Sequence, residues 1–315
     1  MHSDRRIAPG EFAKCGNELL PLDCDMKGEA QIFRRENGAT VAFCEYGDPT
    51  GAPIFFCHGW PSSRTMGELT DEPASRLGLR IISPDRPGIR DSHFHPNRTL
   101  LDWPPLLREL AAHLQIDKFK LLAISGGAPY AYAAGWMLPE QVKAIAVASG
   151  APPLDELTDR DGLLPIHRRM LALREKRPRL LKGLFHLARP FIAMRMPIRL
   201  RPLLLKFLQP CDANVLRESR AFEVCFESAR QAWRSSAAGV MTDAEIYATP
   251  WGFSLEDVCV PVALWHGSKD RTFAPRLAGH VAERLPICEF HLIEGAGHYS
   301  LPIRYIDQIL GDLMS

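Results

Sequence analysis

The chain has 315 residues and a mass of 35.3 kDa, with 46% hydrophobic and 24% charged residues. These values exclude a disordered, collagenous or fibrous chain and allow a packed core in one large α/β domain or two average ones. The 38 Lys and Arg nearly cancel the 37 Asp and Glu, so a net charge of +1 gives no overall attraction to nucleic acid.

The first thirty residues carry a charge every few positions and no apolar h-region. They read as an N-terminal extension (1–29) without a secretory signal, and the cytoplasm is the expected location. The eight cysteines include no C-x-x-C pair, which argues against a zinc site, and a disulfide framework is not expected in a reducing compartment. Runs at 30–35 and 40–46 flank Asn37-Gly38 and predict an antiparallel hairpin at a sheet edge. Short apolar runs at Ile54–Cys57, Leu79–Ser83, Phe119–Ile124, Val142–Ala148, Val262–Trp265 and Glu289–Ile293 predict buried strands. Between them, 99–116, 275–285 and 302–313 have helical spacing, the first with Asp102 as N-cap ahead of Trp103, Pro104 and Pro105. Strands alternating with helices predict βαβ units and a mostly parallel central sheet with helices on both faces. Residues 121–139 lack charges for 19 positions, but Ser125, two glycines and Pro129 interrupt them. A strand, a sharp turn and a buried helix explain that run better than a membrane span.

The alternation stops between 152 and 250. Leu, Arg and Met recur there at helical spacing, with prolines at 165, 178, 190, 197, 202 and 210 expected to cut the run into short helices. The expected organisation is a core of 30–151 and 251–315 with 152–250 inserted as a helical cap. That insertion holds 17 Lys and Arg against 11 Asp and Glu, and the remainder 21 against 26, so near-neutrality conceals a basic insertion on an acidic body. Within 166–206 there are 12 Lys and Arg and one acid, Glu175. Interleaved Leu, Phe, Met and Ile suggest helices with an apolar and a basic face. The plain reading is a solvated face over a hydrophobic lid; the sharper ones are contact with an anionic substrate or with an anionic membrane surface.

The segment Lys118–Trp136, KFKLLAISGGAPYAYAAGW, runs from a strand into small residues around Ser125 and then into a helix. A nucleophile on so tight a turn needs small neighbours two positions away, and Ala123 and Gly127 supply them. Serine needs an imidazole to take its proton, and the imidazole needs a carboxylate to fix its tautomer. Asp270, in LWHGSKDRTFAP, and His298, in IEGAGHYSLP, each follow a strand in a glycine-containing loop. Asp155 is an alternative acid. His58 reads as a residue bonding its own turn, and His93, His95, His266, His280 and His291 as surface or strand-end histidines without ligand spacing.

On these residues, together with His58-Gly59-Trp60-Pro61 and Asp85-Arg86-Pro87-Gly88 after two earlier strands, the chain resembles the α/β-hydrolase superfamily over 30–150 and 251–315. Its elbow departs mildly from G-x-S-x-G, with Ala123 at the first glycine. The resemblance implies the α/β-hydrolase fold, catalytic Ser125, Asp270 and His298, and an oxyanion hole from the N–H groups of Trp60 and Gly126. It further implies no cofactor, no metal, and a small-molecule ester as substrate, with no nucleic-acid partner. A serine rather than an aspartate at the elbow disfavours dehalogenation. A proline-iminopeptidase-like peptidase, a carbon–carbon bond hydrolase, a hydroxynitrile lyase, a perhydrolase and a non-catalytic receptor-like protein share this framework and stay open.

Overall fold

The computed structural model describes residues 28–195, 200–218 and 220–314. The reading of the first residues as an extension without a signal, Cys15, Cys24 and Pro197 lie outside them. Eight strands make one sheet: β1 (Gln31–Arg34), β2 (Thr40–Gly47), β3 (Ala52–Cys57), β4 (Leu79–Pro84), β5 (Phe119–Ile124), β6 (Val142–Ala148), β7 (Val262–Gly267) and β8 (Cys288–Ile293). Their spatial order is β1-β2-β4-β3-β5-β6-β7-β8. β2 is antiparallel to β1 and to β4, whereas β3 through β8 run parallel. The edge hairpin and every strand expected from sequence are present, with ends shifted by at most two residues, but β8, expected to be buried, is the far edge strand and leaves Glu289, Phe290 and Leu292 exposed.

Each central strand alternates its side chains between two cores. Leu121 and Ala123 of β5 face one core, Leu122 and Ile124 the other. Both faces are covered, which is why β5 and β6 are continuously apolar after the lysine at the second position of each, Lys120 and Lys143. α1 (Asp71–Leu77) covers one face, and α2 (Trp103–His113) and α3 (Ala128–Met137) the other. The uncharged run 121–139 is therefore β5, a turn and α3, and among the described residues no helix is long and apolar enough to cross a membrane.

Between β6 and β7 lie α4 (Pro165–Lys176), α5 (Pro178–Ala193), α6 (Arg201–Leu205), α7 (Pro210–Glu218), α8 (Ala221–Arg234) and α9 (Ala238–Tyr247). The chain then returns through β7, α10 (Pro275–Arg284) and β8 to α11 (Ser300–Arg304) and α12 (Ile306–Asp312). The single helix expected at 302–313 is thus two, because Tyr305, at φ −110° and ψ 12°, leaves the helical range. Prolines 165, 178, 202 and 210 open helices as expected, but Pro190 lies inside α5. It sits in the last turn, so the kink it favours leaves only three helical residues beyond it. Asp102 does precede α2, but its carboxylate accepts from the N–H (2.7 Å) and hydroxyl (3.0 Å) of Thr99 instead of capping α2.

A buried charge cluster ties α9 to the sheet. Asp243 accepts from Arg86 Nε at 2.7 Å, from Tyr130 Oη at 2.9 Å and from Arg98. All four side chains are buried. Removing the one carboxylate strands two guanidiniums without water, a defect that costs about 3–5 kcal/mol. Asp243→Ala is expected to lower the unfolding free energy measured by denaturant titration by about 3–5 kcal/mol. Glu245→Ala, which breaks an exposed pair with Arg174 one half-turn away, is expected to change stability by less than about 1 kcal/mol.

Candidate active site

β3 is flanked by β4 and β5, so the direction of winding reverses there and a crevice opens beyond the strand ends. The turn after β3 and the turn after β5 meet at this point. Ser125 heads a single helical turn, Ser125–Gly127, that leads into α3, and its φ is +53°. That left-handed conformation strains a residue with a Cβ. The turn stays tight because α3 packs directly on β3: a Cβ on Gly127 would stand 1.9 Å from the Cys57 carbonyl oxygen. Ala123, at the first elbow position, is buried in register with Cys57 and Val147, and its methyl is accommodated there.

His298 lies between β8 and α11, and Asp270 between β7 and α10. His298 Nε2 is 3.0 Å from Ser125 Oγ, and its Nδ1 is 2.8 Å from Asp270 Oδ2. The three residues thus form one hydrogen-bonded chain. Asp270 is only 3% exposed, unlike a surface loop acid, and its Oδ1 accepts the N–H groups of Thr272 (2.7 Å) and Phe273 (3.1 Å). Asp155 is exposed, and the His298 ring bonds Asp270 instead. Trp60 and Gly126 adjoin across the crevice: Trp60 Cβ is 2.9 Å from where a side chain on Gly126 would begin. The Tyr247 hydroxyl donates to the Gly126 carbonyl at 2.8 Å and fixes that peptide.

Burial disfavours a charged His298, but the Asp270 carboxylate beside it and the hydrogen bond between them win, so its pKa is raised above 6.5; Asp212 adds to the effect. Burial would likewise raise Asp270, but His298 outweighs it and holds the carboxyl below its ordinary value. A carboxylate that stays ionised and an imidazole that gains basicity make a proton acceptor at Ser125.

Several neighbours carry no motif that a sequence could announce. Asp212, on α7, accepts the backbone N–H groups of His298 (3.1 Å), Tyr299 (3.0 Å) and Ser300 (2.7 Å). Its oxygens also occupy the space that a Cβ on Gly297 would need, 2.6 Å away. His167, on α4, lies in the same cavity, and burial followed by the nearby His298 lowers its pKa to about 4. His266, read from sequence as a surface or strand-end histidine, ends β7 but is fully buried, 2.9 Å from the Phe273 carbonyl. His58 is buried with Nδ1 3.0 Å from the Gly59 carbonyl, within its own turn as expected.

Ser125 and His298 open into a cavity of about 990 Å³ under α4, α5 and α9, walled by side chains such as Trp60, Leu171, Phe185 and Phe273. Among the described residues of the basic stretch 166–206, Arg174 and Lys182 are the only cations that line it, and Arg174 is paired with Glu245. Most of the arginines therefore do not face the cavity. Arg168 pairs with Asp161, Arg201 with Glu223, and Arg189 donates to carbonyls at the end of α8.

The linkage has a sign that can be measured. His298 should titrate above 6.5 by NMR; Asp270→Asn should lower that value most, and Asp212→Asn by less, because its carboxylate is the smaller contributor. A titration unmoved in Asp270→Asn would contradict the assigned hydrogen-bond chain.

A family model described as the alpha/beta hydrolase family matches residues 54–308. Among solved structures, an esterase from Thermogutta terrifontis is 19% identical, with a TM-score of 0.62 over 91% of this chain and 98% of that one. A bromoperoxidase from Bacillus anthracis is 18% identical, with a TM-score of 0.67 over 91% and 99%. An esterase from Exiguobacterium antarcticum is 19% identical, with a TM-score of 0.62 over 91% and 98%. No curated protein sequence matches. At these identities the solved structures establish the fold, while the family model spans most of the chain, and the protein belongs to the alpha/beta hydrolase family.

Proposed function

We propose that the protein is a serine hydrolase that cleaves small to medium carboxylic esters through an acyl-enzyme. The observation that carries the reading is the continuous Ser125–His298–Asp270 hydrogen-bond chain at the floor of a largely apolar cavity. Ser125 Oγ attacks the ester carbonyl as His298 Nε2 takes its proton, and the carbonyl oxygen gains the negative charge. The N–H groups of Trp60 and Gly126 stabilise that oxyanion, which is worth roughly a hundredfold to a thousandfold in rate per donor. Collapse of the tetrahedral species expels the alcohol, protonated by His298. Water, deprotonated by the same imidazole, then attacks the acyl-enzyme and releases the acid. No cofactor or metal is required by these steps.

On this reading residues 152–250 act as a helical cap over a core of 30–151 and 251–315, and the walls from α4, α5 and α9 set acyl specificity. A peptidase that held a substrate amino group would need a free acid in the cavity, and Glu245 is engaged by Arg174. A carbon–carbon bond hydrolase for a carboxylated substrate has one observation in its favour, the exposed Lys182 ammonium at the cavity wall.

Wild-type protein should be labelled by a fluorophosphonate probe and should hydrolyse p-nitrophenyl esters. Ser125→Ala should lose labelling and lower kcat by about six orders of magnitude. Hydrolysis should fall as pH drops below the raised His298 value, since only the neutral imidazole accepts the proton. Labelling that persists in Ser125→Ala would refute the nucleophile, and turnover confined to an anionic dienone would favour the carbon–carbon reading.

A further inference from the structure

We propose that the outer side of α5 docks on an anionic lipid surface. α5 carries two apolar faces. Leu181 and Phe185 turn inward, where both line the cavity. Leu180, Leu184, Leu187 and Phe191 fall at i, i+4, i+7 and i+11, one stripe of a helix, and are 46%, 42%, 67% and 71% exposed. Past α5, Leu203 is 53% and Phe207 81% exposed. Surface helices normally present polar residues outward; a continuous apolar stripe marks a face that meets another apolar phase.

The surrounding charge selects the occupant. Arg177, Arg179, Lys182 and Lys206 are exposed and have no ion-pair partner among the described residues. A second copy of the chain docking through this face would bring like charges together, which opposes self-association. An anionic bilayer offers both requirements at once: headgroup charge for the cations and acyl chains for the leucines and phenylalanine. Aliphatic side chains protruding from a convex helix need no shaped groove to be buried there. The cavity wall includes Pro178 and Lys182 of the same helix, both exposed. Docking would therefore bring the mouth of the cavity to the lipid surface, where an apolar ester could enter without crossing water. The docking step itself does not depend on hydrolysis.

Co-sedimentation of the full chain with vesicles tests this, using phosphatidylcholine alone and phosphatidylcholine mixed with phosphatidylserine. The mixed vesicles should bind about tenfold more tightly, and high salt should weaken them. Leu187→Ser with Phe191→Ser should reduce binding about tenfold, and Arg177→Gln with Arg179→Gln several-fold, both with unchanged hydrolysis of a water-soluble ester and unchanged Tm. Ser125→Ala should bind vesicles like wild type, which separates failure of docking from failure of the hydrolase reading. Absence of binding to mixed vesicles, or equal binding by the Leu187 and Phe191 variant, would overturn the proposal. So would a wild-type dimer that this variant dissociates, or equally tight binding to soluble polyglutamate.

Discussion

Asp243 is the junction on which the site's geometry depends. Burial alone would push its carboxyl up, but the guanidiniums of Arg86 and Arg98 outweigh burial and hold it below the usual carboxylate range. The arrangement leaves few polar atoms idle. Arg86 also donates from its two terminal nitrogens to the carbonyls of His58 (2.6 Å) and Gly59 (2.8 Å), and its guanidinium lies over the Tyr130 ring at 4.7 Å. The turn held by Arg86 carries Trp60, whose indole N–H returns to the Val240 carbonyl of α9 at 2.9 Å. A closed circuit thus runs from α9 through Arg86 and the turn after β3 back to α9. Because Asp243, Arg86 and Arg98 are buried, their part of the circuit is either complete or strongly unfavourable, which makes it a rigid joint.

A second joint lies at Asp212. Its carboxylate gathers three consecutive N–H groups of the loop that presents His298, so the imidazole is aimed by a residue from the segment between β6 and β7. Ser228 of α8 makes a third, accepting the Ser63 N–H at 3.0 Å and donating to the Ser63 carbonyl at 3.1 Å. The sheet fixes Ser125, but the intervening helices fix the approach of His298 and the peptide of Gly126. A positional error of about 1 Å in such groups costs about a hundredfold in rate. On this account α4 to α9 do more than cover the cavity: they hold its floor in register.

The alternation of apolar runs announced the sheet because the central parallel strands are covered on both faces, and Ser125, Asp270 and His298 were legible because small residues at strand ends leave a local mark. The rest left none. Asp212 and Asp243 sit in ordinary helical stretches, PCDANV and MTDAEIY, and acquire roles only when those helices fold back over loops far away in sequence. His266 looked like an exposed strand end because its immediate neighbours, Trp265 and Gly267, do not reveal that the loop bearing Phe273 covers it. Pro190 looked like a break because the spacing of prolines does not reveal where a helix ends. A residue with a local motif is readable from sequence even when its partner is 173 residues away, as Ser125 and His298 are; Asp212 and Asp243, with partners 86 and 157 residues away, have no such motif.

The charge asymmetry also separates into two kinds once the chain is folded. Near the cavity and between helices, the arginines are neutralised: Arg160 by Glu175, Arg174 by Glu245, Arg168 by Asp161, Arg201 by Glu223. Exposed pairs of this kind add little stability, but they cancel the field they would otherwise project into the cavity. The cations left uncompensated concentrate around α5 and α6, together with exposed leucines and phenylalanines. A helix packed on one side needs one apolar face. α5 has two, and contact with the body of the protein accounts only for the face bearing Leu181 and Phe185. The docking proposed above would give that second face acyl chains to meet, and would give the lysines and arginines beside it anionic headgroups.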